Sequence, residues 1–336
     1  MIKIAIDAMG GDNAPQCTVE GAMMAVKQFK DVELTLYGDE EKIRKYLTCD
    51  ERIKIVHTDS FIDMGEHDPV RQIRGNRKSS LVLSMKSCKE GENAGVVTAG
   101  PTQAVIVGAH IIIKRIPQMS RVALAPIIPC TDGSKKLILD VGANVELRPE
   151  HLEELAIYAT VAAKVIFGVE SPRVGLLNIG VEPGKGREVD QETYELLSKN
   201  PSINFIGNVE PKEILTVGCE VLLTDGFTGN MVIKTLEGTA KGSGIILKDC
   251  IKSSFFGKIG YLFMRKNLNK YKAILSSNDA GGAMLCGVNV PVVKSHGSSD
   301  GYEFYHAIRR VRELIQSNLI EHVVSMLPVK EESSDV

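Results

Sequence analysis

No stretch of this chain approaches the roughly twenty apolar residues that a membrane-spanning helix needs. The N-terminus, Met1-Ile2-Lys3-Ile4-Ala5-Ile6-Asp7, also lacks the basic head and long apolar core of a signal peptide. The sequence reads as that of a cytoplasmic protein that at most lies on a membrane. Excess charge of either sign is missing too. With 40 basic and 42 acidic residues the formal net charge is −2, so nothing chain-wide attracts nucleic acid, and a charged partner has to be met by a local patch. The 7 cysteines are scattered and never spaced as CxxC, which argues against structural zinc or a disulfide framework and suits reduced, mostly buried side chains. Two nucleotide fingerprints are absent as well. The first glycine turn lacks the GxGxxG pattern of dinucleotide folds. Gly180-Val181-Glu182-Pro183-Gly184-Lys185-Gly186 has one residue too few for a Walker A loop and a glycine where magnesium needs Ser or Thr. Neither a cofactor nor a metal is expected.

What is present is alternation. Apolar runs at 2–6, 33–37, 53–57, 95–98, 122–127, 137–141, 174–178, 220–223 and 290–293 read as strands. Helical patterns at 18–29, 79–88, 103–114, 150–167 and 302–324 lie between or after them. This order predicts βαβ units: an α/β fold with a three-layer, mostly parallel sheet and helices on both faces. Residues 1–236 and 276–327 would form that single domain, 237–275 a basic amphipathic helical appendage, and 328–336 a frayed tail. Ligands in such sheets sit off the carboxyl ends of the strands. Polar, glycine-bearing corners fall there at 7–13, 98–102, 140–144, 178–186, 224–230 and 295–300. One crevice collecting them is the expected site.

The corner Thr224-Asp225-Gly226-Phe227-Thr228-Gly229-Asn230 organises the rest. A short strand, a sharp turn and a helix start place free N–H groups where they favour a phosphate or an oxyanion. Gly226 and Gly229 admit close approach, and Asp225, Thr228 and Asn230 add polar side chains. The alternative is a tight turn with an Asx cap. Asp7-Ala8-Met9-Gly10-Gly11-Asp12-Asn13 repeats the pattern, with Asn13 able to cap and Pro15 suited to the first turn of the next helix. Lys185, flanked by glycines, either meets a phosphate as a point charge or is simply an exposed lysine on a flexible loop. Lys294-Ser295-His296-Gly297-Ser298-Ser299-Asp300 invites a Ser-His-Asp triad, but consecutive residues on one turn do not align as nucleophile, base and orienter. Another anion-binding helix N-terminus is the better reading. His296 is then a proton donor or a turn residue, while Asp225 and Asp300 lean towards bracing their loops.

Two basic stretches stand out. Arg71, Arg74 and Arg77 recur at a spacing of 3, which predicts one helical face, solvated or facing an acidic partner. Residues 250–278 carry no acid, and Ile251, Phe255, Ile259 and Leu262 fall into one apolar stripe among lysines and arginines. Such a segment lies on anionic lipid, takes an acidic partner, or packs across a dimer interface.

Taken in order, Asp-Ala-Met-Gly-Gly-Asp, Leu-Asp-Val-Gly-Ala-Asn, Thr-Asp-Gly-Phe-Thr-Gly-Asn and Lys-Ser-His-Gly-Ser-Ser-Asp closely resemble the PlsX-type phosphate acyltransferases of bacterial phospholipid synthesis. The likeness spans essentially the whole chain. It implies transfer of a fatty acyl group from acyl carrier protein (acyl-ACP) to inorganic phosphate, and a fold like that of the isopropylmalate dehydrogenases and phosphotransacetylases. It further implies a homodimer, with peripheral contact to the inner face of the cell membrane and to a membrane-bound glycerol-phosphate acyltransferase as further expectations. The resemblance marks Lys185 and Asn230 as catalytic. The phosphate- and substrate-binding set is expected to be Asp7, Gly10, Gly11, Asp12, Asn144, Asp225, Gly226, Gly229, His296, Gly297, Ser298, Ser299 and Asp300. The chain departs from the family pattern at Gly100-Pro101-Thr102-Gln103-Ala104 and at 74–80. On this reading Lys185 and the N–H groups of Gly226, Gly229 and Gly297 hold phosphate while Asn230 donates to the developing oxyanion. Two other readings remain at this point: a non-catalytic scaffold that recruits lipid enzymes to the membrane, and a metal-dependent dehydrogenase of similar fold.

Overall fold

The apolar N-terminal run forms β1 (Ile2–Asp7), and the chain continues through β2 (Val32–Gly38), β3 (Ile53–His57), β4 (Gly95–Thr98), β5 (Ala123–Pro129) and β6 (Lys135–Leu139). Then follow β7 (Arg173–Leu177), β8 (Asn204–Val209), β9 (Val221–Leu223), β10 (Ala283–Cys286) and β11 (Val292–Lys294). The computed structural model describes residues 1–49, 51–65, 68–275 and 281–328. The expected boundary near 276 and nearly all of the expected tail lie outside those residues. The strands build one 11-stranded sheet in the order β3-β2-β1-β4-β11-β10-β5-β6-β9-β7-β8. Ile4 and Ile6 of β1 enter one buried cluster and Ala5 enters another, as a strand covered by helices on both faces requires.

The sheet is mostly parallel, with a reversal in its middle. β1, β2, β3, β4 and β11 run one way, and β6, β7, β8 and β9 run together. Antiparallel pairings of β11 with β10, β10 with β5 and β5 with β6 separate the two groups and turn the second against the first. Strand carboxyl ends of the two groups therefore approach the middle strands from opposite sides.

Several helices differ from expectation. The C-terminal pattern splits into Gly301–Gln316 and Leu319–Met326, because Asn318 adopts a left-handed backbone with φ 49°. Asn13 does not cap the helix Gln16–Gln28; its side-chain amide donates to the carbonyls of Ser298 and Ser299, both at 3.1 Å. The helix Pro69–Gly75 carries Arg71 and Arg74 but ends before Arg77, so the expected face holds only part of the triplet. Likewise the stripe 251–262 is interrupted, since Ile251 belongs to Gly226–Lys252 and Phe255 opens Phe255–Leu275. Of the long helix Gly226–Lys252 only Gly226, Gly229 and Ile233 are buried, so its burial is confined to its N-terminal end. No helix among the described residues is long and apolar enough to cross a membrane.

Candidate active site

Two glycine corners meet on one side of the middle strands. The Asp12 N–H donates to the Gly297 carbonyl at 2.8 Å, and the Asn13 amide bonds noted above fasten the same pair of loops. Asp7 is buried beneath them. Its Oδ2 accepts from the Thr98 hydroxyl at 2.7 Å, and desolvation raises its pKa above the usual carboxylate range. Gly10 sits over this carboxylate, where a Cβ would lie 2.5 Å from Asp7 Oδ2. Asp7, Gly10 and Gly11 are thus the floor of the 295–299 loop. Within that loop the hydroxyls of Ser295 and Ser299 bond at 2.8 Å. His296 Nδ1 accepts the Ser298 N–H at 3.2 Å, which puts the ring proton on Nε2, and Asp300 caps the following helix by accepting the Glu303 N–H at 2.9 Å.

The second pair of corners meets on the other side. Asp140, buried and with its pKa raised by desolvation, accepts the N–H groups of Leu124, Ala143 and Asn144 and the Asn144 amide. Asn144 also donates to the Val122 carbonyl at 2.7 Å. The helix start at 226 lies directly against this loop: a Cβ on Gly226 would stand 2.3 Å from the Asn144 carbonyl oxygen, and one on Gly229 2.0 Å from that of Asp140. The Gly226 N–H donates to that Asn144 carbonyl at 2.9 Å and the Gly229 N–H to the Asp225 carbonyl at 2.9 Å. The expectation that these two N–H groups hold phosphate is therefore corrected. Their glycines permit close packing, and their donors already have protein partners. Asp225 caps by accepting the Thr228 N–H at 2.7 Å and pairs with Arg187 at 2.6 Å. Asn144, Asp225 and Asp300 brace the site.

Between the two pairs opens a cavity of about 560 Å³, within the range of small-molecule sites. One wall is apolar: Leu124, Pro126, Ile127, Ile128 and Pro129 from β5, with Val141, Leu215, Ile233 and Leu236. The other end is polar, with Thr102, Asn230, Lys234, Lys294, Ser295, His296, Ser298 and Ser299. Glu237, Ala240, Gly282, Ala283 and Glu303 complete the lining. Of the expected site residues, Asn230, His296, Ser298 and Ser299 line this space. Asp12 and Gly297 lie one layer behind. Lys185 does not line it; it is exposed on the 178–187 loop, which the Arg187–Asp225 pair ties to the start of the Asn230 helix.

Sequence reasoning passed over Thr102, Lys234 and Lys294 as site residues, and the apolar wall altogether. Lys234 could have been found, because it stands at i+4 from Asn230 on one helical face. Lys294 ends an apolar strand and reads as the start of a loop. It is half-buried, its Nζ donates to the Ser295 carbonyl at 3.0 Å, and desolvation followed by the positive charge of Lys234 pulls its pKa down to about 8.

This fold is shared with solved phosphotransacetylase and phosphotransacylase structures. A phosphotransacetylase from Streptococcus pyogenes superposes with a TM-score of 0.62 at 17% identity, covering 95% of this chain and 94% of its own. A branched-chain phosphotransacylase from Enterococcus faecalis V583 does so with a TM-score of 0.57 at 15% identity, over 94% of this chain and 100% of its own. At such identities the likeness is one of fold. The sequence goes further: the family model described as fatty acid synthesis protein matches residues 2–322, and the chain belongs to this family. A relative in Acholeplasma laidlawii named phosphate acyltransferase is 48% identical over 334 residues, 99% of this chain and 100% of its own. Another of the same name in Geobacillus sp. WCH70 is 45% identical over 95% of this chain and 96% of its own.

Proposed function

We propose that this chain is a phosphate acyltransferase that transfers a long-chain fatty acyl group from acyl carrier protein to inorganic phosphate, giving acyl phosphate for phospholipid synthesis. One observation carries the reading: a single cavity offers an apolar wall along β5 and a cluster of hydroxyls, lysines and an amide at its other end. A fatty chain fits the first and a phosphate the second, and the thioester carbonyl falls between them.

The chemistry asks mainly for positioning. A phosphate oxygen attacks the thioester carbonyl carbon; the C–O bond forms, the C–S bond breaks, and the phosphate's proton ends on the carrier thiol. Asn230 donates to the carbonyl oxygen as charge develops on it. Ser298 and His296 Nε2–H offer donors to the phosphate. Lys185 adds positive charge from the neighbouring loop. The helical stretch 237–275 forms the appendage and the homodimer contact. Phe255, Phe256 and Phe263, exposed by 72%, 82% and 84%, supply its lipid-facing side. The acidic carrier meets the basic groups around Arg71 and Arg74 or around Lys258.

Incubation of long-chain acyl-ACP with radiolabelled inorganic phosphate should yield a labelled acyl phosphate that partitions with the fatty chain. Its absence while thiol is released would replace the reading with a thioesterase. The wall makes a second prediction. Ala240→Phe narrows the cavity and should lower kcat/KM for long acyl chains by about tenfold while sparing short ones. A uniform change across chain lengths would remove this wall as the acyl site.

A further inference from the structure

Resting on that reading of the cavity, we propose that Lys234 and Lys294 are the cations that hold the phosphate, and then the acyl phosphate, at its polar end. Both lysines line the same cavity with Ser295, Ser298 and Asn230. A half-buried ammonium is costly unless a partner compensates it. Among the described residues Lys294 has no carboxylate at ion-pair distance; its protein acceptor is the Ser295 carbonyl at 3.0 Å, which leaves donors of a three-donor group for a ligand. Two lysines facing one space repel each other, and an anion between them relieves both. Lys234 is held by Glu237 at 3.0 Å in an exposed pair, and such a pair yields readily to a stronger acceptor.

The arrangement also sets a pH dependence. Lys294 faces Lys234 from the Asn230 helix, Asp12 from the first glycine corner, His296 from its own loop, and Glu237 and Glu303 across the cavity. Lys234 disfavours its charged form and Asp12 favours it, with desolvation the largest influence; the balance puts its pKa at about 8. A bound phosphate favours the ammonium, so binding takes up a proton as pH rises through that value, and affinity for phosphate falls.

The test compares wild type with Lys294→Met, Lys234→Met and Lys294→Arg. KM for phosphate is measured at fixed acyl-ACP between about pH 7 and pH 9, alongside the rise in Tm that inorganic phosphate alone produces. Either methionine variant should raise the phosphate KM about tenfold or more, the worth of a charge-assisted hydrogen bond, with KM for acyl-ACP unchanged and the phosphate-induced rise in Tm reduced. In Lys294→Arg, whose charge does not titrate, the increase of KM with pH should disappear. Unchanged phosphate KM in both methionine variants overturns the proposal. Should Lys294→Met not melt cooperatively, Lys234→Met, at an exposed helix position, and Lys294→Arg decide. If wild type forms no acyl phosphate, yet phosphate raises its Tm and not that of Lys294→Met, the lysine site stands and the acyltransferase reading falls.

Discussion

Replacing Asn230 with alanine should lower turnover by on the order of a hundredfold or more while leaving KM for acyl-ACP nearly unchanged. The asymmetry follows from where the amide stands. Asn230 lines the polar end of the cavity, and on the proposed reading its amide meets the thioester carbonyl when the chain lies along β5. An amide there does little for a neutral carbonyl and much for an oxyanion, so its loss appears in kcat. Its exposed side chain contributes little to packing, and Tm should hold. Wild-type turnover in Asn230→Ala would remove this residue from the role.

The adjacent glycine should behave in the opposite way. In Gly229→Ala a Cβ would stand 2.0 Å from the Asp140 carbonyl oxygen and 2.9 Å from Thr224 Cγ2. Backbone, not the tip of a flexible side chain, has to move. Such overpacking costs about 3 kcal/mol or more. It also pushes the helix start away from the 140–144 loop, and Asn230, the next residue, moves with it. Stability and activity should therefore fall together, read as a lower Tm and a collapsed kcat/KM. An alanine variant melting with wild type would mean that the two corners are not packed as described.

Much of the architecture was legible because central strands are continuous apolar runs. The strands 2–7, 53–57 and 95–98 match their runs closely. β8 was missed because Asn-Phe-Ile-Gly-Asn-Val has asparagines at 204 and 208 and an internal glycine, as an edge strand with a local irregularity in its pairing permits. β10 was missed because it is only 4 residues long and follows a glycine pair. The mid-sheet reversal was not readable at all, since pairing direction depends on contacts distant in sequence. The glycine corners were visible from their spacing, but not the use made of them. At 226 and 229 the missing Cβ serves contact with another loop and not with a ligand. Pro126 looked like an ordinary strand residue, and Ile128 and Pro129 fell just past the expected run 122–127; only the seating of the Asn230 helix leaves space beside them. Lys294 stayed hidden because a strand-terminal lysine gives no sign of burial until the neighbouring helix is in place.

The most direct measurement of the central claim, that one cavity brings a fatty thioester and an inorganic anion together, follows free thiol released from long-chain acyl-ACP with and without phosphate. The account predicts release that depends on phosphate and saturates with it. Release at the same rate without phosphate, or none with it, would contradict the account.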